Sequence, residues 1–347
     1  MRIPSRPRTG RATGRHLAAV VAVALAAAAC GGEGPTADGG DDAEGEAAVA
    51  EGGVDYPLTI ENCGTEITFE APPERVFLLH SAPVSSLQAL GLLDRVVGRA
   101  GAFPEEYLDD EAQAAIDAVP SLTEEVDGDG HFEVSAEAIV EAEPDLVMGL
   151  TEGVTREGLA DLGIPVLEVP SQCPGETASP GYDDVLDLTT LYGDIFDRTA
   201  AAEDYNAQLQ ARLDAVAEQV GDEDRTAAVL YPTVGGGTGW AYGTVSMAHP
   251  QLEAAGFDNV FGDVQERVFE VSLEDLIDRD PDVLVLLHVD GEPGPVEDAI
   301  RSLPGADGMT AVQDDAILVQ LFNFSEPPTP LTVDGLERIV DAFGDAR

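Results

Sequence analysis

Short apolar runs alternate with amphipathic stretches from Val76 to the end of the chain. Residues 76–79, 146–148 and 166–169 read as buried strands, with a helical stretch over 84–92 between the first two. The pattern returns at 227–231, 283–287 and 317–319, with helices near 247–255 and 331–343. Strands alternating with helices predict an α/β fold with mainly parallel sheets. Between the two groups, Tyr205, Leu209, Leu213, Val216 and Val220 fall on one helical face. That spacing predicts one uninterrupted helix over 197–220, roughly 36 Å long at 1.5 Å per residue.

An internal repeat ties the groups together. Residues 132–150 read FEVSAEAIVEAEPDLVMGL and residues 269–287 read FEVSLEDLIDRDPDVLVLL, with eight identities in nineteen. Each copy offers a capping serine (Ser135, Ser272), a glutamate two residues on (Glu137, Glu274), a short helix, a Pro-Asp break and an apolar strand. A duplicated α/β lobe accounts for this, and the helix between the two groups is long enough to join two lobes. The divisions expected are a leader over 1–29, a tether over 30–54, lobes over 55–178 and 223–347, and a helical linker over 179–222.

The leader has its own signature. Arg2, Arg6, Arg8, Arg11 and Arg15 precede a thirteen-residue apolar run, 17–29, which is too short to span a bilayer and suits a signal peptide. It ends in Ala-Ala-Ala-Cys at Cys30, which resembles the lipobox of bacterial lipoproteins, although the favoured leucine is replaced by Ala27. The resemblance implies lipidation of Cys30; ordinary secretion with a chance cysteine is the alternative. Residues 31–53 are rich in Gly, Ala, Asp and Glu and lack any aromatic, the composition of a solvated tether. Only this N-terminal end is expected to meet the membrane.

Charge removes several chemistries. The 347 residues carry 17 basic and 67 acidic side chains, a net charge of −50, and every basic residue outside the histidines is arginine. Loss of the five leader arginines takes the net charge to −55. Without lysine there is neither a Walker-type phosphate loop nor a Schiff-base enzyme, and so acidic a surface repels nucleic acid. The remaining cysteines, Cys63 and Cys173, form either a disulfide, permitted outside the cytoplasm, or two buried thiols. No G-x-S-x-G elbow, H-E-x-x-H motif or clustered Cys/His set marks a hydrolase.

The segment PERVFLLHSAPVSSLQALGLLDRVVGRAG (73–101) is similar to the first strand–helix unit of solute-binding proteins serving iron–siderophore, haem and cobalamin ABC importers. The two repeat copies and LEAAGFDNVFGD (252–263) resemble further elements of that family, and ENCG with SQCPG resembles an actinobacterial branch carrying both cysteines. The resemblance spans about Pro57 to Val340 and implies two lobes joined by one long helix, with a ligand cleft between them. It implies a non-enzymatic, monomeric binding lipoprotein at the outer face of the cell membrane. Such a protein has no cofactor, captures an iron chelate of siderophore type and hands it to a permease dimer. Haem, cobalamin or a bare Zn or Mn ion are alternative cargoes, and a secreted hydrolase is a more distant one. It also implies that Glu137 and Glu274 dock onto permease arginines; the alternative is that each favours the positive end of its own helix.

Ligands of open α/β lobes sit at the carboxyl ends of strands. This selects His80 and Ser81 after the first strand and His288 after a second-lobe strand. His131 and Arg267 precede the repeated helices, where relatives place cleft residues. The glycine-rich stretch 233–242 supplies Thr233, Trp240 and Tyr242 as loop aromatics and a hydroxyl; packing of both rings in the second core is the other reading. With Arg267 the one arginine placed in the cleft, a neutral, weakly charged or cationic ligand is expected rather than a strongly anionic one.

Overall fold

The computed structural model describes residues 53–127, 131–151, 153–221, 225–235 and 239–344. The leader, Cys30 and nearly all of the tether lie outside these residues. The described chain opens with an antiparallel hairpin of β1 (Leu58–Asn62) and β2 (Thr65–Phe69), in which Asn62 pairs with Thr65. Its two-residue turn, Cys63-Gly64, has φ of 53° and 73°, the left-handed pair that matches strand twist in a type I′ turn. Leu58, Ile60, Ile67 and Phe69 share one face and pack on the first-lobe core. Sequence reading took ENCG only as a cysteine motif and missed this hairpin.

The first lobe holds a four-stranded sheet of β3 (Val76–Leu78), β4 (Val96–Arg99), β5 (Leu146–Met148) and β6 (Val166–Leu167). Its order is β4-β3-β5-β6 and every pairing is parallel. The second lobe holds β7 (Arg225–Tyr231), β8 (Gly239–Tyr242), β9 (Phe257–Asn259), β10 (Val268–Val271), β11 (Val283–His288) and β12 (Ile317–Leu321). Here the order is β10-β8-β7-β11-β12, with β9 also on β7. β7, β9, β11 and β12 are mutually parallel where they pair, whereas β8 and β10 add antiparallel at one edge. The glycine-rich stretch expected as a loop therefore ends in a strand. Trp240 and Tyr242 are held by backbone pairing to β7 and β10, and Tyr242 is buried.

Both lobes bury their strands on two faces, which is why those runs are continuously apolar. In the first, Val76, Leu78, Leu146 and Met148 face the inter-lobe helices, while Phe77, Leu79 and Val147 face the repeated helix through Ile139. In the second, Val229, Val283 and Val285 pack with Val216 and Leu336, while Leu230, Leu284 and Leu286 pack with Leu276. The repeat is thus structural. Ser135 caps helix Ala136–Val140 through Ala138 N–H at 3.3 Å, and Ser272 caps helix Leu273–Arg279 through Asp275 N–H at 3.1 Å. The Pro-Asp aspartates match too. Asp145 accepts Arg75 N–H at 2.9 Å just before β3, and Asp282 accepts Thr226 N–H at 2.8 Å within β7.

The helix expected over 197–220 is present as Thr199–Ala217, and the connection adds a second helix that the expectation lacked. Two antiparallel helices, Tyr182–Ile195 and Thr199–Ala217, pack together. Asp197 takes φ 54° and Arg198 N–H bonds Gly193 O at 2.7 Å, so the first helix closes before the second begins. The second helix, 19 residues and about 28 Å long, buries Ala202 in the first-lobe core and Val216 in the second. Leu209 lies midway with Val185, Met247 and Val333. The long helix is therefore one member of a pair.

Candidate functional site

The parallel strands of both sheets direct their carboxyl ends at one cleft of about 570 Å³. His80 and Ser81 follow β3, Ala102 and Pro104 follow β4, Leu150 follows β5 and Glu168 follows β6. Across the cleft, Tyr231 ends β7, Val289 follows β11, and Phe322 and Asn323 follow β12. Trp240 and Tyr242 come from β8, and Arg267 and Val268 from the start of β10. The walls are mostly apolar and aromatic, with a few fixed polar groups, the usual make-up of a small-molecule site.

Those polar groups are largely paired. His80 Nε2 lies 3.7 Å from Glu168 Oε1, and its ring has room only because Gly149 (φ 96°) lacks a Cβ, which would stand 2.3 Å from the imidazole. Arg267 Nη1 lies 3.2 Å from Oε2 of Glu326, a carboxylate only 1% exposed whose Oε1 accepts Met247 N–H at 2.7 Å. The arginine singled out from sequence is therefore charge-balanced. Burial pushes the Tyr107 and Tyr242 phenols well above the ordinary range, with Glu106 adding to the push at Tyr107 and Glu326 at Tyr242.

The lobes also touch directly beside the cleft. The Tyr107 and Phe324 rings meet edge-on at 5.0 Å, and Asn323 N–H donates to the Tyr107 hydroxyl at 2.8 Å. The Asn323 carboxamide lies 3.0 Å from Ser81 Oγ. With its oxygen toward Ser81 and Ala82 N–H and its nitrogen toward Glu326 O, every group is satisfied. Gln172 and Glu326 add a weaker contact at 3.4 Å.

Of the residues named from sequence, His80, Ser81, His131, Trp240, Tyr242 and Arg267 come together in this cleft. His131 sits at its rim, 66% exposed, with Nδ1 3.8 Å from Asp127 Oδ2. Thr233 and His288 do not join them; both line an adjoining pocket of about 450 Å³. The His288 ring turns back on its own loop, Nδ1 lying 3.1 Å from Asp290 O. Cys63 and Cys173 are joined as a disulfide, with Cα atoms 5.1 Å apart. Among the described residues, no group of three His, Cys, Asp or Glu side chains is placed to hold a metal ion, and no helix is long and apolar enough to cross a membrane.

Sequence reading missed Glu168, Glu326, Tyr107 and Asn323. Glu168 fell inside the strand expected over 166–169; the strand ends at Leu167, and only that earlier end puts Glu168 where the strand-end rule selects it. Tyr107, Asn323 and Glu326 lie in connecting segments with no periodicity, and only the inter-lobe contact reveals them.

Residues 76–319 match the periplasmic binding protein family. A crystal structure described as an ABC-type Fe³⁺-hydroxamate transport system from Saccharomonospora viridis DSM 43017 is 59% identical. The match covers 84% of this chain and 100% of that one, with a TM-score of 0.81. A cobalamin-binding protein of Halobacterium salinarum is 26% identical over 302 residues, 85% of this chain and 76% of its own length. The periplasmic haem-binding protein of Roseiflexus sp. RS-1 shares the fold at 21% identity and a TM-score of 0.60, over 78% of this chain and 97% of that one.

Proposed function

The chain belongs to the periplasmic binding protein family, and from that premise we propose that its solute is a ferric complex of hydroxamate type. A protein of this family acts outside the cytoplasm and delivers its solute to an ABC importer; it is not an enzyme. The observation that carries the ligand reading is the charge of the cleft. Among the described residues, Arg267 is neutralised by Glu326 and the remaining wall carboxylate is Glu168, so these side chains offer no excess positive charge. Three hydroxamate monoanions cancel the charge of Fe³⁺, whereas three catecholate dianions leave −3, which this cleft would repel. Apolar and aromatic walls suit the bulky organic jacket of such a complex. The hydroxamate description of the Saccharomonospora viridis relative supports the same choice.

Haem and cobalamin are the second reading, since a structural neighbour is described as haem-binding and a sequence relative as cobalamin-binding. A titration separates them. Trp240 is the only tryptophan and lines the cleft, so its fluorescence reports occupancy. The folded body is titrated with a ferric trihydroxamate, a ferric tris-catecholate, haem, cobalamin and Zn²⁺. Saturable quenching at micromolar or lower concentration is expected for the trihydroxamate. Saturation by haem, cobalamin or Zn²⁺ with none by the trihydroxamate overturns the reading.

The rest of the reading concerns delivery. Cys30 carries the lipid that holds the protein, a monomer, at the outer face of the cell membrane; the mass of the mature N-terminus tests this. Glu137 and Glu274 stand exposed in the first turns of equivalent helices, and their side chains make no hydrogen bond or ion pair among the described residues. They dock onto arginines of the permease dimer. Reversing both charges, Glu137→Arg with Glu274→Arg, is expected to abolish uptake while leaving solute binding intact; unchanged uptake contradicts docking.

A further inference from the structure

Among the described residues, Glu168 is the one carboxylate in the cleft wall, and it is 8% exposed. Its backbone is held from outside the cleft. Asn62, at the end of β1, accepts Glu168 N–H at 2.9 Å and donates to Glu168 O at 2.8 Å. The Asn62 oxygen is fixed in turn by Arg156 Nη2 at 2.9 Å, and the same guanidinium bonds Val166 O. The Cys63–Cys173 bridge fastens the hairpin turn to the segment just beyond Glu168. Oε1 of the side chain accepts Val169 N–H at 3.0 Å and faces His80. Among the described residues, Oε2 accepts no hydrogen bond.

Charged and titratable groups surround this carboxylate unevenly. Arg156 attracts it but stands behind β6 and is not part of the cleft wall. Tyr192, packed from the inter-lobe helix, is a buried neutral phenol. His80 is the wall group within reach, and it carries a positive charge only when protonated. The Arg267–Glu326 pair sums to zero. A ligand in this cleft therefore meets a rigidly presented negative group that, among the described residues, nothing else in the wall permanently balances.

We infer that Glu168 determines charge selectivity, admitting ferric complexes that carry a cationic substituent, such as a primary ammonium, in preference to their neutral counterparts. This rests on the ferric hydroxamate reading and adds the class of complex within it. A carboxylate held in place on a low-dielectric wall strengthens a charge-assisted hydrogen bond to an ammonium, and the neutral analogue leaves it unused.

The test compares ferrioxamine B, whose free amine is protonated at neutral pH, with its N-acetyl derivative, which has the same iron centre and no charge on the tail. Dissociation constants come from Trp240 fluorescence for the wild-type mature chain and for Glu168→Gln, with thermal melts confirming that both fold. The wild-type protein is expected to bind ferrioxamine B at least about tenfold more tightly, and Glu168→Gln to bind both alike. Equal binding of the two complexes by the wild type, or a preference undiminished in Glu168→Gln, overturns the assignment and leaves the ferric hydroxamate reading standing. Failure of both complexes to bind the wild type overturns that reading and the assignment with it.

Discussion

At Asn62 a single buried carboxamide, 3% exposed, joins the hairpin, the end of β6 and the Arg156 guanidinium through three hydrogen bonds. Truncation strips partners from a buried amide, a buried carbonyl and a charged group at once. Asn62→Ala is therefore expected to lower folding stability by about 2–3 kcal/mol, measured by urea unfolding; a loss under about 0.5 kcal/mol contradicts this account of the wall. Residue roles were unevenly legible. The strand-end rule selects His80 and Ser81, and the structure places both in the cleft wall, because strand direction is disclosed by the apolar runs. It also selects His288, which lines the adjoining pocket instead, its ring against the carbonyl of Asp290 in the following turn. Glu326 was out of reach of sequence, since its role comes from Arg267 and Met247, 59 and 79 residues away.

Among elements, those whose residues bury two faces were the easiest to read. β11 was expected at 283–287 and runs Val283–His288, and the helix expected at 331–343 runs Leu331–Phe343. The repeat was legible because its identities have local work: serines cap helices, and aspartates hold a backbone amide just before β3 in one copy and within β7 in the other. The helix expected over 197–220 runs Thr199–Ala217, but its partner, Tyr182–Ile195, was not foreseen, because the apolar face of 205–220 says nothing of what precedes it; Asp197, in a left-handed conformation, separates the two. The meeting of the two helices makes its own prediction. Leu209 is fully buried among Val185, Met247 and Val333, so Leu209→Ala is expected to cost about 3 kcal/mol through lost burial and a residual cavity. Differential scanning calorimetry checks it. An unchanged melting temperature contradicts the view that this contact binds the lobes together.

At the scale of the whole molecule, the arrangement is two sheets with their carboxyl ends opposed across a cleft and a stiff helical pair behind. Buried phenols are distributed through it. Burial raises Tyr107, Tyr182, Tyr192 and Tyr242, and holds Tyr205 up to about 12. The unfolded chain releases such protons near 10, while the folded chain keeps them. Their contribution to stability is thus fully present below pH 10 and is lost as pH rises toward 12. Tyrosine ionisation followed at 295 nm is expected to coincide with unfolding over that interval; phenols titrating near pH 10 in a chain that stays folded contradict the packing described.

The central claim is that an iron complex is held between the lobes. Crystals grown with ferrioxamine B and measured at the iron absorption edge locate the metal directly. An anomalous peak inside the cleft, bordered by His80, Glu168, Trp240 and Arg267, is the expected result. A peak on an outer face, or a cleft that stays empty in crystals containing the complex, contradicts it.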